Sequence, residues 1–341
     1  MLLFALRSAR QPRVGVGPLC SKVVEVYKVC GGGKMLKYSA DLRSVLWVAL
    51  WHLGSTQAMA HGCETVLGAW VVGGILAYLA FACACITHNS MHCRTWHWWI
   101  LEEIWMVALS LAYGHPAFCF DSGHNKSHHR FTQQPKDVMR TSKMRFKWHI
   151  LNLILFQPTV AGAVFRQDMR YWWARRGSVF FWRGCVQWCV VLATQAVLCW
   201  LNWRRFLAYV WAPHLFAQWS IVAINVVQHD GAVVPEEGKK HVNMARTLSG
   251  FYLNFLTFNN GYHTMHHYSP TLHWSLLPAA HAQVIQPFLD PRLDEPCLLR
   301  YLWRTFVVEG RRDFRGKPLQ FAHEEPPDED WVSEYQSSRQ S

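Results

Sequence analysis

Val66–Ile86 is a run of 21 residues without a single charge, and it restricts the fold more than any other feature of the chain. At about 1.5 Å rise per residue, a helix of that length covers roughly 30 Å, the hydrocarbon thickness of a bilayer. A weaker apolar run, Leu42–Ala60, precedes it, interrupted by Arg43, His52 and Gln57. The link His61–Thr65 carries no Lys or Arg. The pair reads as a helical hairpin with its basic flank inside. Cys185–Leu201 and Phe206–Val227 read as a second hairpin turning around Asn202–Arg205. Arg204 and Arg205 then lie outside, against the positive-inside tendency, but the stretch His88–Arg183 is far more basic.

Two shorter apolar stretches are interrupted: Ile100–Tyr113 by Glu102 and Glu103, and Ile150–Phe165 by Gln157 and Pro158. Both read as interfacial helices or helices buried against the bundle, crossing zero times. The expected fold is all-α and integral to a membrane, with about four transmembrane helices in two hairpins. A cytosolic helical cap follows Gln228. Residues 1–41 form a basic tail, read either as a mitochondrial targeting segment or as a cytosolic tail beside a membrane. Residues 42–322 form the membrane and catalytic domain. Residues 323–341, with Glu-Glu-Pro-Pro-Asp-Glu-Asp, read as a disordered acidic tail.

The formal charge of +12 fits an anionic membrane surface or an acidic protein partner. Nucleic acid is excluded as a partner, because no reading motif accompanies the charge and the chain is too apolar. The eleven cysteines form no metal-type Cys-x-x-Cys pair. Cys83, Cys85, Cys185, Cys189 and Cys199 lie in apolar runs, where a thiol behaves as a small hydrophobe.

Nine of the 19 histidines fall in four short windows: His88-Asn-Ser-Met-His92, His124-Asn-Lys-Ser-His128-His129, Asn225-Val-Val-Gln-His229 and His263-Thr-Met-His266-His267. On a helix, residues three or four apart share a face. An adjacent pair such as His128 and His129 diverges by about 100° and can serve two neighbouring ions. An even number of crossings separates every pair of windows, so all nine imidazoles can meet at one membrane face. The isolated His52, His97, His115, His149, His214, His273 and His281 read as hydrogen-bonded core or interface residues. A zinc protease needs a Glu beside the first His, and Asn89 stands there. Nine imidazoles exceed what one tetrahedral ion can use and point to two ions of five or six coordination, for which iron, zinc and copper are all suited. Asp121, Asp137, Asp230 and the amide of Asn225 are candidates to orient the ligand imidazoles from behind.

The four windows resemble the histidine boxes of the membrane fatty acid desaturase superfamily of acyl desaturases and related alkane and acyl hydroxylases. The resemblance covers roughly residues 45–280, most closely around Gly123–Asp137 and Asn259–Pro270. It implies that His88, His92, His124, His128, His129, His229, His263, His266 and His267 are catalytic iron ligands, with Asn225 reaching an iron through water. It implies two ferrous ions, dioxygen and external electrons. The expected activity is introduction of a double bond into an acyl lipid chain. The rival on the same scaffold is hydroxylation of an acyl chain, alkane or other apolar substrate, since the first two box spacings also occur in alkane hydroxylases. A zinc-dependent lipid hydrolase is a more distant alternative. Electrons would come from a b-type cytochrome or a ferredoxin-like donor. The basic stretch Lys136–Lys147 could dock such an acidic donor or lie on anionic lipid. The expected location is the endoplasmic reticulum with the site facing the cytosol, or else a mitochondrial membrane. Since a ligand imidazole must be neutral, acid toward and below about pH 6 is expected to release the metal.

Overall fold

A computed structural model describes residues 35–340, with side chains described to residue 336. Most of the basic N-terminal tail lies outside the described residues, and with it the targeting reading. Within them the chain is helical, and β-structure is confined to isolated bridges such as Leu36 with Trp96. Six longer helices form the body: α1 (Asp41–His61), α2 (Val66–His92), α3 (Trp99–Tyr113), α4 (His149–Ala174), α5 (Val179–Phe206) and α6 (Ala212–His229). A π-helical turn, Leu207–Trp211, joins α5 to α6. Among the described residues, two stretches are long and apolar enough to cross a membrane: Val66–His92 and the run Val179–His229.

That second run is broken. Asn202 leaves helical geometry (φ −161°, ψ 92°), and its Oδ1 accepts from the Arg205 N–H at 3.1 Å, capping the start of the returning segment. Arg205 also donates from Nη1 to the carbonyl oxygens of Met59 and Ala60, at 3.1 and 2.7 Å. The two turns, Gly62–Thr65 and Asn202–Arg205, therefore lie side by side. The opposite ends of α2 and α6, at His92 and His229, carry histidine clusters. Along α2 the environment changes with that polarity. Val66, Leu67, Trp70, Val71 and Ile75 are exposed, whereas Leu79 to Ser90 are mostly buried.

Gln157 and Pro158 interrupt the apolar run Ile150–Phe165, and α4 continues through both. Proline at 158 has no N–H to give Ile154, which should cost the helix a bond. The indole Nε1 of Trp219 on α6 donates to the Ile154 oxygen at 2.9 Å instead, so a neighbouring helix replaces the missing donor.

The acidic tail is not the disordered segment its composition suggests. Arg140, only 2% exposed as a side chain, pairs with Glu325 at 2.7 Å and Asp328 at 2.5 Å and donates to the Pro326 oxygen. Arg145 binds Glu325, and Lys143 binds Asp328. Beyond them Trp331 and Val332 bury against Tyr171 and Phe131, and Trp331 donates to Gln167 at 2.8 Å. A charged segment with few apolar residues stays disordered only while its charges lack partners; here the partners lie on the basic loop 136–145. Arg140→Ala is expected to lower stability by roughly 1–3 kcal/mol, read from the denaturation midpoint. Deleting residues 323–341 from that variant should add less than it does to the unaltered chain, because both changes remove the same contacts.

Candidate metal centre

The structure brings all nine boxed histidines together, in two groups. His88, His92, His124, His129 and His266 make one; His128, His229, His263 and His267 make the other. Helical spacing sorts them. On α2, His88 and His92 are one turn apart and join the first group. The fourth cluster forms the short helix α8 (His263–Tyr268), following α7 (Phe251–Leu256). His263 and His267, four apart, turn to the second group, and His266 turns to the first.

The second cluster obeys a different rule from the one the sequence suggests. Asp121–His128 is a π-helix, and the His129 N–H bonds to the His124 oxygen five residues back. With i→i+5 bonding each residue advances by roughly 80° rather than 100°, so residues 128 and 129 flank residue 124 on either side. His129 then joins His124 in the first group, while His128 crosses to the second. In an ordinary α-helix His129 would point well away from His124.

Three of these imidazoles are oriented from behind. His128 Nδ1 meets Asp137 Oδ2 at 2.8 Å, His229 Nδ1 meets the Met244 oxygen at 3.0 Å, and His88 Nδ1 meets Asn89 Oδ1 at 3.2 Å. Each partner is an acceptor, so each of these Nδ1 atoms carries the proton and each Nε2 presents a bare lone pair. Burial pushes the Asp137 carboxyl up, but His128 and the N–H groups of Gln133 and Met139 outweigh it and hold the pKa below the ordinary value. Asp137 is therefore ionised. Burial first, and the neighbouring imidazoles second, push His124, His129, His263, His266 and His267 well below the usual imidazole range.

The lone pairs converge. Nε2 of His124 lies 2.8 Å from that of His88 and 2.9 Å from that of His129, which lies 3.0 Å from that of His266. In the second group His229, His263 and His267 form a triangle of Nε2 atoms with edges of 2.9, 3.1 and 3.2 Å. Such a triangle cannot satisfy all its atoms by hydrogen bonding when His229 offers no Nε2–H. A cation at its centre can. With a metal–nitrogen bond of about 2.1 Å, ligands at 90° stand about 3.0 Å apart and tetrahedral ligands about 3.4 Å apart. The observed edges are of this order, and the all-imidazole donor set of each group fits an ion of the kind that imidazole holds.

Two residues expected to steady the ligands do other work. Asp230 forms an ion pair with Arg311 and lies 3.5 Å from His149, and Asp121 accepts from the Tyr171 hydroxyl. Neither reaches a boxed histidine. Asn225 lines the cavity beside the second group, and its Nδ2 donates to the Met139 oxygen at 2.5 Å. Among the isolated histidines, His273 binds Asp41 at 3.0 Å and stacks on Tyr38, and His149 stacks on Phe306. These are packing roles. His115 is an exception, since it lines the cavity.

The approach to α8 is tightly built. Phe258 and Asn259 adopt left-handed backbone (φ 54° and 59°), and Gly261 packs so closely that a Cβ there would stand 2.2 Å from the Leu248 oxygen. Gly261→Ala is expected to cost about 1–3 kcal/mol and, by shifting α8, to reduce metal content in both groups. Metal analysis of the purified variant checks this.

A cavity of about 260 Å³ opens beside both groups, touching His88, His124, His128 and His263 and running between α3, α4 and α6. Val160, Val164, Ile221 and Val222 give it apolar walls. The sequence matches the fatty acid desaturase family over residues 65–295, more than half of the chain. The chain belongs to the fatty acid desaturase family. The matched region contains all four histidine windows. No curated protein matches the chain. Membership of the desaturase family suggests an oxidoreductase associated with membranes. Asn89 and Asp168 are site residues that sequence reasoning does not single out. The available signal for Asp168 is its spacing, since Val160, Val164 and Asp168 recur every four residues and place an acid on an otherwise apolar face.

Proposed function

We propose that this desaturase-family protein is an integral membrane, non-haem di-iron oxygenase that introduces a double bond into an acyl lipid chain, using dioxygen and external electrons. The observation that carries the reading is the convergence of nine imidazoles in two groups, with His88, His124, His128 and His263 lining an apolar-walled cavity. Iron held by these histidines would supply reductive activation of dioxygen and removal of hydrogen from an unactivated methylene. The chain's own residues do the rest. Asp137, Asn89 and the Met244 carbonyl fix the ligand rings, and burial favours the neutral form of His124, His129, His263, His266 and His267. Val160, Val164, Ile221 and Val222 exclude water and hold a hydrocarbon chain against the centre. Misplacement by about 1 Å can cost on the order of a hundredfold in rate.

The membrane reading, with α1, α2, α5 and α6 as four spans in two hairpins, draws on the outer surfaces of these helices. Leu42, Leu53, Trp70 and Trp200 are 66, 64, 77 and 83% exposed, a hydrophobic exterior that water does not favour. Adjacent turns at one end and histidine clusters at the other fit a site on one bilayer face, which we assign to the cytosolic side of the endoplasmic reticulum. An external b-type cytochrome or ferredoxin-like protein would deliver electrons. In this structure Arg140, Lys143 and Arg145 are engaged by the acidic tail, so docking on this basic stretch would require displacing it.

Hydroxylation on the same scaffold is the second reading, since the cavity also carries polar side chains. Expression in a host of simple lipid composition, with mass spectrometry of its lipids, tests both. A new species lighter by two hydrogens and formed only in air is expected. One heavier by an oxygen would replace desaturation with hydroxylation, and product formed equally under nitrogen would refute an oxygenase.

A further inference from the structure

The cavity is not a plain hydrocarbon tunnel. Asp168 on α4 lines it, is only 4% exposed, and its Oδ1 has no hydrogen-bond partner. Tyr113, Gln157 and Gln218 bring further polar groups to the same walls. A buried acceptor oxygen left unpaired costs about 1–3 kcal/mol, and the same face of α4 carries Val164 and Val160 one and two turns earlier. The carboxyl also lies close to the metal centre. A Cβ built on Gly123, the neighbour of His124, would stand 3.2 Å from Asp168 Oδ1. Burial, the largest influence, pushes the carboxyl's pKa well above the ordinary value, opposed by Ser122 and the Gly123 N–H.

We propose that Asp168 is a specificity residue that hydrogen-bonds an oxygen function of the substrate, so that the cavity takes a hydrocarbon chain whose oxygen-bearing end lies beside the histidine centre. The substrate class is then an alkyl chain carrying a hydroxyl or carbonyl near the reacting carbon, rather than a chain attacked in the middle of an unfunctionalised run. The proposal rests on the oxygenase reading for what happens to that carbon, but the recognition itself does not need turnover. A site built around a hydrogen bond discriminates strongly against an analogue that cannot make it, because the buried group is then left unpaired.

The test is binding of decan-1-ol and of decane to detergent-solubilised, metal-loaded protein, followed by tryptophan fluorescence, with metal content measured alongside. Partition of each probe into detergent is common to all variants, so the alcohol-to-alkane ratio is compared between them. The unaltered protein is expected to prefer the alcohol by on the order of tenfold or more. Asp168→Asn, which keeps hydrogen-bonding atoms in place, should retain that preference, and Asp168→Leu should abolish it, both with metal content unchanged. An equal affinity for the two probes in the unaltered protein, or a preference that survives Asp168→Leu, overturns the proposal. Loss of metal from either variant also overturns it, by assigning Asp168 to the support of the histidines. A protein that carried zinc instead of iron would defeat the oxygenase reading and leave this comparison to be decided by its own numbers.

Discussion

His266→Ala is expected to abolish turnover while leaving the helical fold and membrane insertion intact, and to remove metal from one group only. His266 and His267 are neighbours in sequence, yet α8 directs the first to His88, His92, His124 and His129 and the second to His128, His229 and His263. His267→Ala should therefore deplete the other group. Each change deletes a proposed ligand, so the loss should exceed the roughly 10–100-fold that follows removal of an outer partner. Asp137→Asn, which disturbs His128 from behind, supplies that comparison. Product formation, metal per chain and circular dichroism on the same preparations check the set. Activity retained in His266→Ala would take this residue out of the centre.

Acid should release the metal only well below pH 6.5. An ordinary imidazole would let go toward and below pH 6, as the sequence alone suggests, but burial and neighbouring rings hold His124, His129, His263, His266 and His267 far lower. Proton counting gives the direction. Below about pH 6.5 the unfolded chain takes up protons on these side chains while the folded chain does not, so stability falls as pH falls through that range. The metal-free protein should lose thermal stability from about pH 6.5 downward. The loaded protein should keep its metal over the upper part of that window, because its ligands stay neutral. Parallel curves of metal retained and unfolding temperature against pH test this; metal leaving with a midpoint near 6.5 would show that the imidazoles are not buried together.

The elements carrying the site are legible because their signals are local. Val66–Ile86 lies within α2, Asn202 ends one arm of the expected hairpin, and spacing of three or four residues places histidines on shared faces. What stays hidden depends on partners distant in sequence. How the helix tolerates Pro158 stays hidden because Trp219, which caps the freed Ile154 carbonyl, lies 65 residues away. The tail reads as disordered because the cations that neutralise Glu325 and Asp328 lie on the loop 136–145. Asp230 stands next to a ligand in sequence, which suggests support for it, yet Arg311 claims it. The π-helix at Asp121–His128 is the subtlest case. Spacing brings residues 124, 128 and 129 together, but their division between the two histidine groups depends on a hydrogen-bond register that composition does not encode.

Two chemically distinct histidine cages, side by side in one chain, underlie every role assigned to the surrounding residues. Mössbauer spectroscopy of active protein enriched in iron-57, with the metal-to-chain ratio determined on the same sample, addresses them most directly. Two irons per chain, in two components of equal area reflecting the five-histidine and four-histidine sets, is the expected result. A single iron per chain, or zinc in place of iron in active enzyme, would contradict it.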